Sequence, residues 1–258
     1  MQNPINRFKQ ALENKQTQIG FWQGMVGALS AEVCASAGFD WILIDGEHSP
    51  NDLQTLMHQL QILQGYPVTT PVLRVPHGYL EAGAANIKQY LDIGAQSLLV
   101  PMIDTPEQAL HVVRATRYPP EGIRGVAGGR ASRWGHIPDY AKNAHQELCV
   151  LVQAESATAL ANLEAICAID GVDGVFIGPS DLAASLGYLG QAQHPEVLRV
   201  IDDAIRRINA AGKASGILTS DDKLSRHYID IGCTFVAVGI DSNVLMRETK
   251  ALVAKFKR

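Results

Sequence analysis

The sequence predicts a (β/α)8 TIM barrel, and three observations support this fold. The chain has 258 residues, close to the roughly 250 residues that form such a barrel as one domain. Short apolar runs alternate eight times with segments of helical periodicity, which is the pattern of parallel strands joined by crossover helices. The GxGxxG phosphate turn typical of an open doubly wound sheet does not follow the first run. We therefore predict a single barrel domain over residues 1–258.

The predicted strands are mostly continuous apolar runs, as expected where helices cover the sheet. They are 18–23, 39–45, 70–76, 97–103, 149–155, 174–179, 213–219 and 234–240. Helices are predicted where apolar residues recur every three or four positions, and several begin at an N-capping residue and end at Gly. The clearest are 29–38, 51–63, 105–117, 195–212 and 221–232. A last helix over 242–256 could close the barrel on its own subunit or pack on a neighbour.

Composition favours a protein that binds small molecules rather than nucleic acid or membranes. The formal net charge is −4 and there is no long Lys/Arg run, so nucleic acid and anionic membrane surfaces are poor partners. The N-terminus is polar, and no stretch of about 18 apolar residues occurs, so we expect no export signal and no membrane span. The four cysteines form no CxxC pair, which indicates buried thiols in a reducing compartment and predicts a cytoplasmic protein.

Polar residues stand where several predicted strands end. Because the active site of this barrel type forms at the carboxyl ends of the strands, these residues are candidates for function. They are Asp45, Glu47 and His48 after the second strand, Arg74 in the third, Gln153 and Glu155 in the fifth, and Gly178, Pro179, Ser180 and Asp181 after the sixth.

Glu155 and Asp181 are the candidate metal ligands. Two carboxylates from neighbouring strand ends can converge as hard oxygen ligands, with water or substrate completing a roughly octahedral shell suited to Mg²⁺ or Mn²⁺. The alternative is that each carboxylate caps the helix that follows it, as Asp181 could do for residues 181–187.

Arg74 and His48 are the candidate catalytic groups. The guanidinium of Arg74 fits a carboxylate, a carbonyl oxygen or a developing enolate. Its alternative role is a salt bridge to Asp45, Glu47 or Asp92 inside the barrel mouth. His48 could exchange protons with a substrate if Asp45 or Asp92 orients its ring, and the alternative is a loop histidine in contact with solvent.

Nine motifs, taken in order, resemble one family. They are DGEHS, LRVP, IKQYLDIGAQSLLVPM, RYPPEGIRGV, RASRW, VLVQAE, GVDGVFIGPSDLAASLG, HPEV and FVAVGID. Together they are similar to the metal-dependent class II pyruvate aldolases of the 4-hydroxy-2-oxoheptanedioate aldolase family, which includes 2-keto-3-deoxy-L-rhamnonate and 2-dehydro-3-deoxyglucarate aldolases. The match runs nearly end to end, and the ordered set is far more specific than any single motif.

The resemblance implies a phosphoenolpyruvate/pyruvate-type barrel that uses a divalent metal, namely Mg²⁺, Mn²⁺ or Co²⁺, with Zn²⁺ also admitted. Glu155 and Asp181 would hold the metal, and pyruvate would chelate it through its carboxylate and 2-oxo oxygens. Arg74 would stabilise the pyruvate enolate.

The resemblance also implies the other site residues. His48 with Asp45, and Asp92, would handle protons. The pyruvate pocket would be lined by Gln153, Gly178, Pro179 and Ser180, and the aldehyde side by Trp22 and Leu218. By analogy the subunits would form a homohexamer with exchanged C-terminal helices.

The implied reaction is reversible cleavage of a 4-hydroxy-2-oxo acid, such as 4-hydroxy-2-oxoheptanedioate, to pyruvate and an aldehyde, such as succinic semialdehyde, as in aromatic compound catabolism. An aldolase for 2-keto-3-deoxy sugar acids is the first alternative. A lyase or mutase for phosphorylated or CoA-linked oxo acids and a non-catalytic binding barrel are the others. A Schiff-base aldolase is disfavoured because Lys213 opens its strand at the wrong end and Lys88 lies in a helix.

Three segments depart from the family pattern. Residues 75–86 are longer than the usual turn, the loop near 127–130 is shorter, and Ala154 replaces a larger aliphatic residue. The first two lie where an aldehyde would enter, so the departures concern the choice of aldehyde more than the type of reaction.

Overall fold

The computed structural model describes residues 1–257 and arranges eight parallel strands in a closed barrel, in which β8 pairs with β1. The strands are β1 Gln18–Gln23, β2 Trp41–Asp45, β3 Thr70–Arg74, β4 Ser97–Val100, β5 Cys149–Ala154, β6 Gly174–Ile177, β7 Ala214–Leu218 and β8 Phe235–Ile240. All eight predicted strands are confirmed. Several end before the predicted run does, because the last residues of the run turn into the loops of the barrel mouth.

Helices follow the strands and cover the barrel. They are α1 Arg7–Glu13, α2 Ala28–Ser36, α3 Leu53–Leu63, α4 Leu80–Asp92, α5 Pro106–Thr116, α6 Tyr140–Asn143, α7 Ala157–Ala161, α8 Leu163–Cys167, α9 Pro179–Ser185, α10 Pro195–Ala210, α11 Asp222–Asp230 and α12 Asp241–Phe256. Reciprocal capping of side chain and backbone fixes two of the helix starts: Asp52 pairs with Thr55 at α3, and Thr105 pairs with Gln108 at α5.

The barrel interior is filled at its amino-terminal end. Phe8 of α1 is completely buried there, with its ring centroid 5.6 Å from Trp41 and 5.9 Å from Phe235. Leu43, Val72, Leu99, Leu151 and Phe176 belong to the same interior cluster. A larger apolar layer lies between the strands and the helices. The plugged end leaves the carboxyl ends of the strands as the open mouth of the barrel.

Helix α12 packs little of its surface on the barrel. Asp241 is its one buried residue, and the apolar side chains of Leu245, Met246, Leu252, Val253 and Phe256 are exposed. Within residues 1–257, no helix combines the length and the apolar character that a membrane span requires. The four cysteines are free thiols. Cys149, Cys167 and Cys233 are buried, as predicted, whereas Cys34 is half-buried.

Candidate active site

Glu155 lies at the mouth, directly after β5, with only 4% of its surface exposed. Its Oε1 accepts a hydrogen bond from the backbone N–H of Met102 at 2.8 Å, and its Oε2 accepts one from Nε2 of Gln153 at 2.8 Å. Met102 adopts a left-handed backbone with φ of 58° in the turn after β4. Two elements therefore fix the Glu155 carboxylate before any ligand binds.

Gly178 allows the end of β6 to approach that carboxylate. A Cβ atom on this residue would lie 2.4 Å from Oε2 of Glu155, closer than real atoms pack. Pro179 then begins α9 and places Asp181 in its first turn, at the exposed rim of the mouth. Glycine at 178 is thus required for the end of β6, which leads into the turn that carries Asp181, to pass this close to the Glu155 carboxylate.

The local electrostatics place several acids together. The pKa of Glu155 is raised to about 7, mainly by burial and also by the charges of Asp181 and Glu47, against the lowering effects of the Met102 N–H and Arg74. The pKa of Glu47 is also raised, mainly by burial. A carboxylate whose ionisation is opposed by neighbouring acids gains most from a nearby cation.

Neither Glu155 nor Asp181 caps a helix, which was the alternative role of these two acids. Helix α7 is capped by Ser156, whose hydroxyl accepts from the N–H of Ala159 at 3.0 Å, and α9 begins at Gly178 with no side-chain cap. The carboxylates of Glu155 and Asp181 are therefore not used as N-caps.

The residues present fit a hard divalent cation. Glu155 and Asp181 supply only oxygen donors, and the space that Gly178 leaves beside Oε2 is available to a ligand. Across residues 1–257 no group of three or more His, Cys, Asp or Glu side chains is placed to hold a metal. The arrangement matches a site with two protein ligands, where substrate and water fill the other positions.

Arg74 ends β3 and is held by two acids. Its Nε donates to Oδ1 of Asp45 at 2.9 Å and its Nη2 to Oδ2 at 2.6 Å, while Nη1 lies 2.7 Å from Oε2 of Glu47. The guanidinium also lies over the ring of Trp22, at 4.8 Å from its centroid, and Trp22 Nε1 donates to Asp45 Oδ2 at 3.1 Å. The predicted alternative of a salt bridge is correct for Asp45 and Glu47, and it orients Arg74 towards the mouth.

His48 lies at the rim of the mouth with its ring largely in solvent. Its side chain is 71% exposed, and Nε2 is 3.9 Å from Oε1 of Glu47. The Asp45 carboxylate accepts from the backbone N–H of His48 at 3.2 Å and of Glu47 at 2.9 Å. Asp45 therefore orients the turn that carries His48 and does not orient the imidazole itself, which corrects the predicted contact.

Asp92 is not brought to this mouth. It is the last residue of α4, which runs back to the amino-terminal end of β4, and it pairs with Nη2 of the buried Arg124 at 2.8 Å. The prediction that Asp92 orients His48 is wrong within one chain, because a helix that follows a strand returns to the opposite end of the barrel.

The residues predicted to bind substrate do lie around the mouth. Gln153 is buried, and its Oε1 accepts no hydrogen bond from residues 1–257. Trp22 is the second-to-last residue of β1 and Leu218 is the last residue of β7, and the side chains of both belong to or pack against the interior cluster. A cavity of about 230 Å³ extends along the rim, and its lining includes Pro179, Ser180, Leu218, Thr219 and Ile240.

Sequence reasoning named Glu47 only as a possible salt-bridge partner of Arg74, and the structure confirms this contact and also places Glu47 near Glu155 and Asp181. The group that sequence reasoning missed is the backbone N–H of Met102. No residue type identifies a main-chain donor, so the sequence carried no signal for it.

Known proteins resemble this chain over its length. The family model described as HpcH/HpaI aldolase/citrate lyase matches residues 18–247. A 4-hydroxy-2-oxovalerate aldolase of Rhodococcus jostii is 57% identical over 99% of this chain and 98% of its own length. A hydroxypyruvate/pyruvate aldolase of Deinococcus radiodurans is 57% identical over 98% and 90%. A 4-hydroxy-2-oxo-heptane-1,7-dioate aldolase of Salmonella dublin is 51% identical over 97% and 94%.

The fold has a similar counterpart among solved structures. A crystal structure of an HpcH/HpaI aldolase/citrate lyase family protein from Burkholderia cenocepacia J2315 superposes with a TM-score of 0.92 at 38% identity, covering 98% of this chain and 100% of that one.

Proposed function

Because the chain belongs to the HpcH/HpaI aldolase/citrate lyase family, we propose that it reversibly cleaves 4-hydroxy-2-oxo acids to pyruvate and an aldehyde. The chain is accordingly a carbon–carbon lyase, and the family inferred from its motifs is confirmed. The observation that carries the proposal is the convergence at one mouth of Glu155, Asp181 and Arg74. This convergence gives two oxygen donors for a cation and one fixed cation for a developing negative charge.

Glu155 and Asp181 would hold a divalent metal of the Mg²⁺ or Mn²⁺ type. Such an ion supplies a Lewis acid that polarises the 2-oxo group of a bound 2-oxo acid. Gln153 keeps Glu155 in place through its Nε2, and its unpaired Oε1 is free to accept from a water or a substrate hydroxyl. Ser180, at the start of α9 beside Asp181, lines the same rim.

Arg74 would balance the charge that develops when the C3–C4 bond breaks. The electron pair of that bond passes to C3 and the 2-oxo oxygen, while the C4 hydroxyl loses its proton and becomes the carbonyl of the departing aldehyde. A guanidinium fixed by Asp45 and Glu47 needs no reorganisation to meet this charge. Pyruvate forms when C3 takes up a proton.

His48 is the base we assign to the C4 hydroxyl proton. It stands at the rim of the mouth, and its exposed ring is free to turn towards a bound substrate. Asp92 could assist this histidine only from a second copy of the chain, since its own subunit holds it at the opposite end of the barrel.

Assembly into a homo-oligomer, with a hexamer as the proposed form, is supported by α12. A soluble monomer rarely exposes a row of large apolar side chains, and Phe256 and Met246 are 82% and 67% exposed. A second copy that covers α12, by exchange of this helix, would bury them. Light scattering on the purified protein measures the mass, and a monomeric result would reject this part of the proposal.

One assay tests the proposed reaction. Purified protein is incubated with 4-hydroxy-2-oxovalerate or 4-hydroxy-2-oxoheptanedioate, and pyruvate release is followed with lactate dehydrogenase. We expect turnover that a chelator abolishes and that Mg²⁺ or Mn²⁺ restores. Asp181→Asn should lose this restoration at metal concentrations that saturate the wild type. Pyruvate release that persists at full rate in chelator would reject the metal site.

The same assay addresses the natural substrate. Run in the synthetic direction, with pyruvate or hydroxypyruvate as donor and a panel of aldehydes as acceptors, it ranks the candidates by kcat/KM. Hydroxypyruvate is included because a relative with 57% identity carries that donor in its name. A 2-keto-3-deoxy sugar acid enzyme would prefer hydroxyaldehydes.

A further inference from the structure

A row of three amide side chains, two of them fully buried, connects the end of β1 to the turn 45–49. Gln23 ends β1 and Gln59 lies in α3, and both are completely buried. Gln23 Nε2 donates to Gln59 Oε1 at 2.7 Å, and Gln59 Nε2 donates to Asn51 Oδ1 at 2.8 Å. Asn51 Nδ2 in turn donates to the backbone carbonyl of Asp45 at 2.7 Å. The row therefore ends on the residue that holds Arg74.

Stability alone gives no reason for this row. Helix α3 buries Leu56, Leu60 and Leu63 beside Gln59, so an apolar residue at 59 would fit the pattern of the helix. Burying an amide costs free energy unless its hydrogen bonds are made, and Gln23 Oε1 accepts none from residues 1–257. A polar pair retained among leucines indicates a requirement other than core packing.

The turn 45–49 is also held by contacts with residues of β1 and β3 at the barrel mouth, including Gly46 N–H to the Arg74 carbonyl at 3.0 Å. Ser49 Oγ donates to the carbonyl of Gly24 at 2.5 Å, and the Asp45 carboxylate accepts from two N–H groups of the turn itself.

Asn51 connects this turn to α3. Its Nδ2 donates to the Asp45 carbonyl and, at 3.2 Å, to Ser49 Oγ, and its Oδ1 accepts from Thr55 and Gln59 of α3. Without the bond to the Asp45 carbonyl, Asp45 loses its direct support from this side, and a shift of Asp45 would carry Arg74 with it.

We propose that Gln59, together with Gln23 and Asn51, is a positioning residue of the aldolase reaction. The three amides fix the position of the Asp45 backbone at the barrel mouth. The Asp45 carboxylate in turn fixes the guanidinium of Arg74. None of the three amides is among the residues assigned to bind substrate or metal. The inference rests on the proposed function, because it concerns the geometry in which that reaction is catalysed. Displacements of about 1 Å at such a site can cost roughly a hundredfold in rate.

The test compares variants of the whole protein. The double variant Gln23→Leu/Gln59→Leu replaces both partners of one hydrogen bond with apolar groups, which avoids leaving half of that pair unsatisfied. Asn51→Asp keeps an acceptor for Gln59 and loses the donor to Asp45. Gln61→Leu is the matched control, since Gln61 lies on the same helix and is exposed. Measured are kcat and KM for pyruvate release, exchange of pyruvate methyl protons with D₂O by NMR, Mn²⁺ affinity and Tm.

We expect the double variant to keep its Tm and Mn²⁺ affinity while kcat and proton exchange fall roughly 10- to 100-fold, with KM nearly unchanged. Asn51→Asp should show the same loss, and Gln61→Leu none. Wild-type kcat in a folded double variant would overturn the proposal. If the double variant does not fold, wild-type kcat in Asn51→Asp does so. A wild-type protein that neither releases pyruvate nor exchanges its protons contradicts the proposed function instead, before any variant is compared.

Discussion

Arg74 and Asp45 face each other at the ends of adjacent strands and share two parallel hydrogen bonds, Nε to Oδ1 at 2.9 Å and Nη2 to Oδ2 at 2.6 Å. Their backbones are directly paired in the register of β2 and β3. The side chain of Arg74 is 9% exposed, so the pair is shielded from solvent. A fork of two bonds fixes the guanidinium plane, which a single contact would not do.

Arg74→Lys tests this geometry. Lysine keeps the charge but cannot make two parallel bonds to Asp45, so we expect kcat for pyruvate release to fall on the order of 10²-fold, comparable with the loss of one oxyanion donor. The measurement is steady-state kinetics with saturating Mn²⁺, accompanied by Tm.

Arg226→Lys is the control, since Arg226 is exposed on α11. Unchanged turnover in Arg74→Lys would show that the charge alone, without the fixed plane, is sufficient. Loss of Tm together with turnover would assign the effect to folding.

Gly178→Ala tests the approach of β6 to Glu155. The added Cβ would lie 2.4 Å from Glu155 Oε2, so this carboxylate must leave its present position. We expect Mn²⁺ affinity to fall roughly 10- to 100-fold, as for other changes in the support of a metal ligand. Titration of Mn²⁺ by EPR measures this affinity.

Gly128→Ala provides the matched control. An added Cβ at Gly128 would meet nothing within 4 Å, so the same chemical change should leave Mn²⁺ affinity as it is. Wild-type affinity in Gly178→Ala would contradict the assigned contact between this glycine and the metal ligand.

The barrel could be predicted from sequence because its signals are local. Runs such as 174–179 carry no polar side chain, and capping residues such as Asp52 and Thr105 mark where helices begin. Positions at strand ends follow from the fold, so Glu155 and Arg74 were placed correctly at the mouth. The position of a residue along the barrel could be predicted wherever it depends only on the strand that carries the residue.

Contacts between distant segments could not be predicted in the same way. Asp92 is the last residue of α4, and this helix carries it to the opposite end of the barrel from His48. The Met102 N–H is a main-chain group whose direction depends on a left-handed φ. The link from Gln59 to Asn51 joins residues eight positions apart through a loop geometry that no periodicity describes.

Lys213 gives a prediction that separates two classes of aldolase. Its Nζ donates to the backbone carbonyl of Val172 at 2.7 Å, at the amino-terminal end of the barrel and away from Glu155. Treatment with pyruvate and borohydride should therefore leave the mass of the protein unchanged, since a Schiff base needs a lysine in the site. An adduct mapped by mass spectrometry to any lysine that is required for turnover would contradict the metal-dependent reaction.

Glu155 gives the protein a defined pH dependence. Its pKa in the fold is raised to about 7 from the 4.5 of a free side chain, first by burial and then by Asp181 and Glu47. The metal-free fold therefore favours the protonated acid. As pH rises from 4.5 to about 7, the unfolded chain releases this proton before the folded chain does, so the free energy of unfolding should decrease over that window.

Metal affinity should change in the opposite direction. A cation binds the ionised carboxylate. As pH rises towards 7, the apparent Mn²⁺ affinity should therefore increase by up to about tenfold per pH unit, and above pH 7 it should become constant. Denaturant unfolding without metal and Mn²⁺ titration, each between pH 5 and 8, measure the two trends. Glu155→Gln cannot ionise at this position, so its metal-free stability should vary less with pH than that of the wild type. Equal pH profiles for the two proteins would mean that Glu155 is already ionised at pH 5 in the fold, and the raised pKa would be wrong.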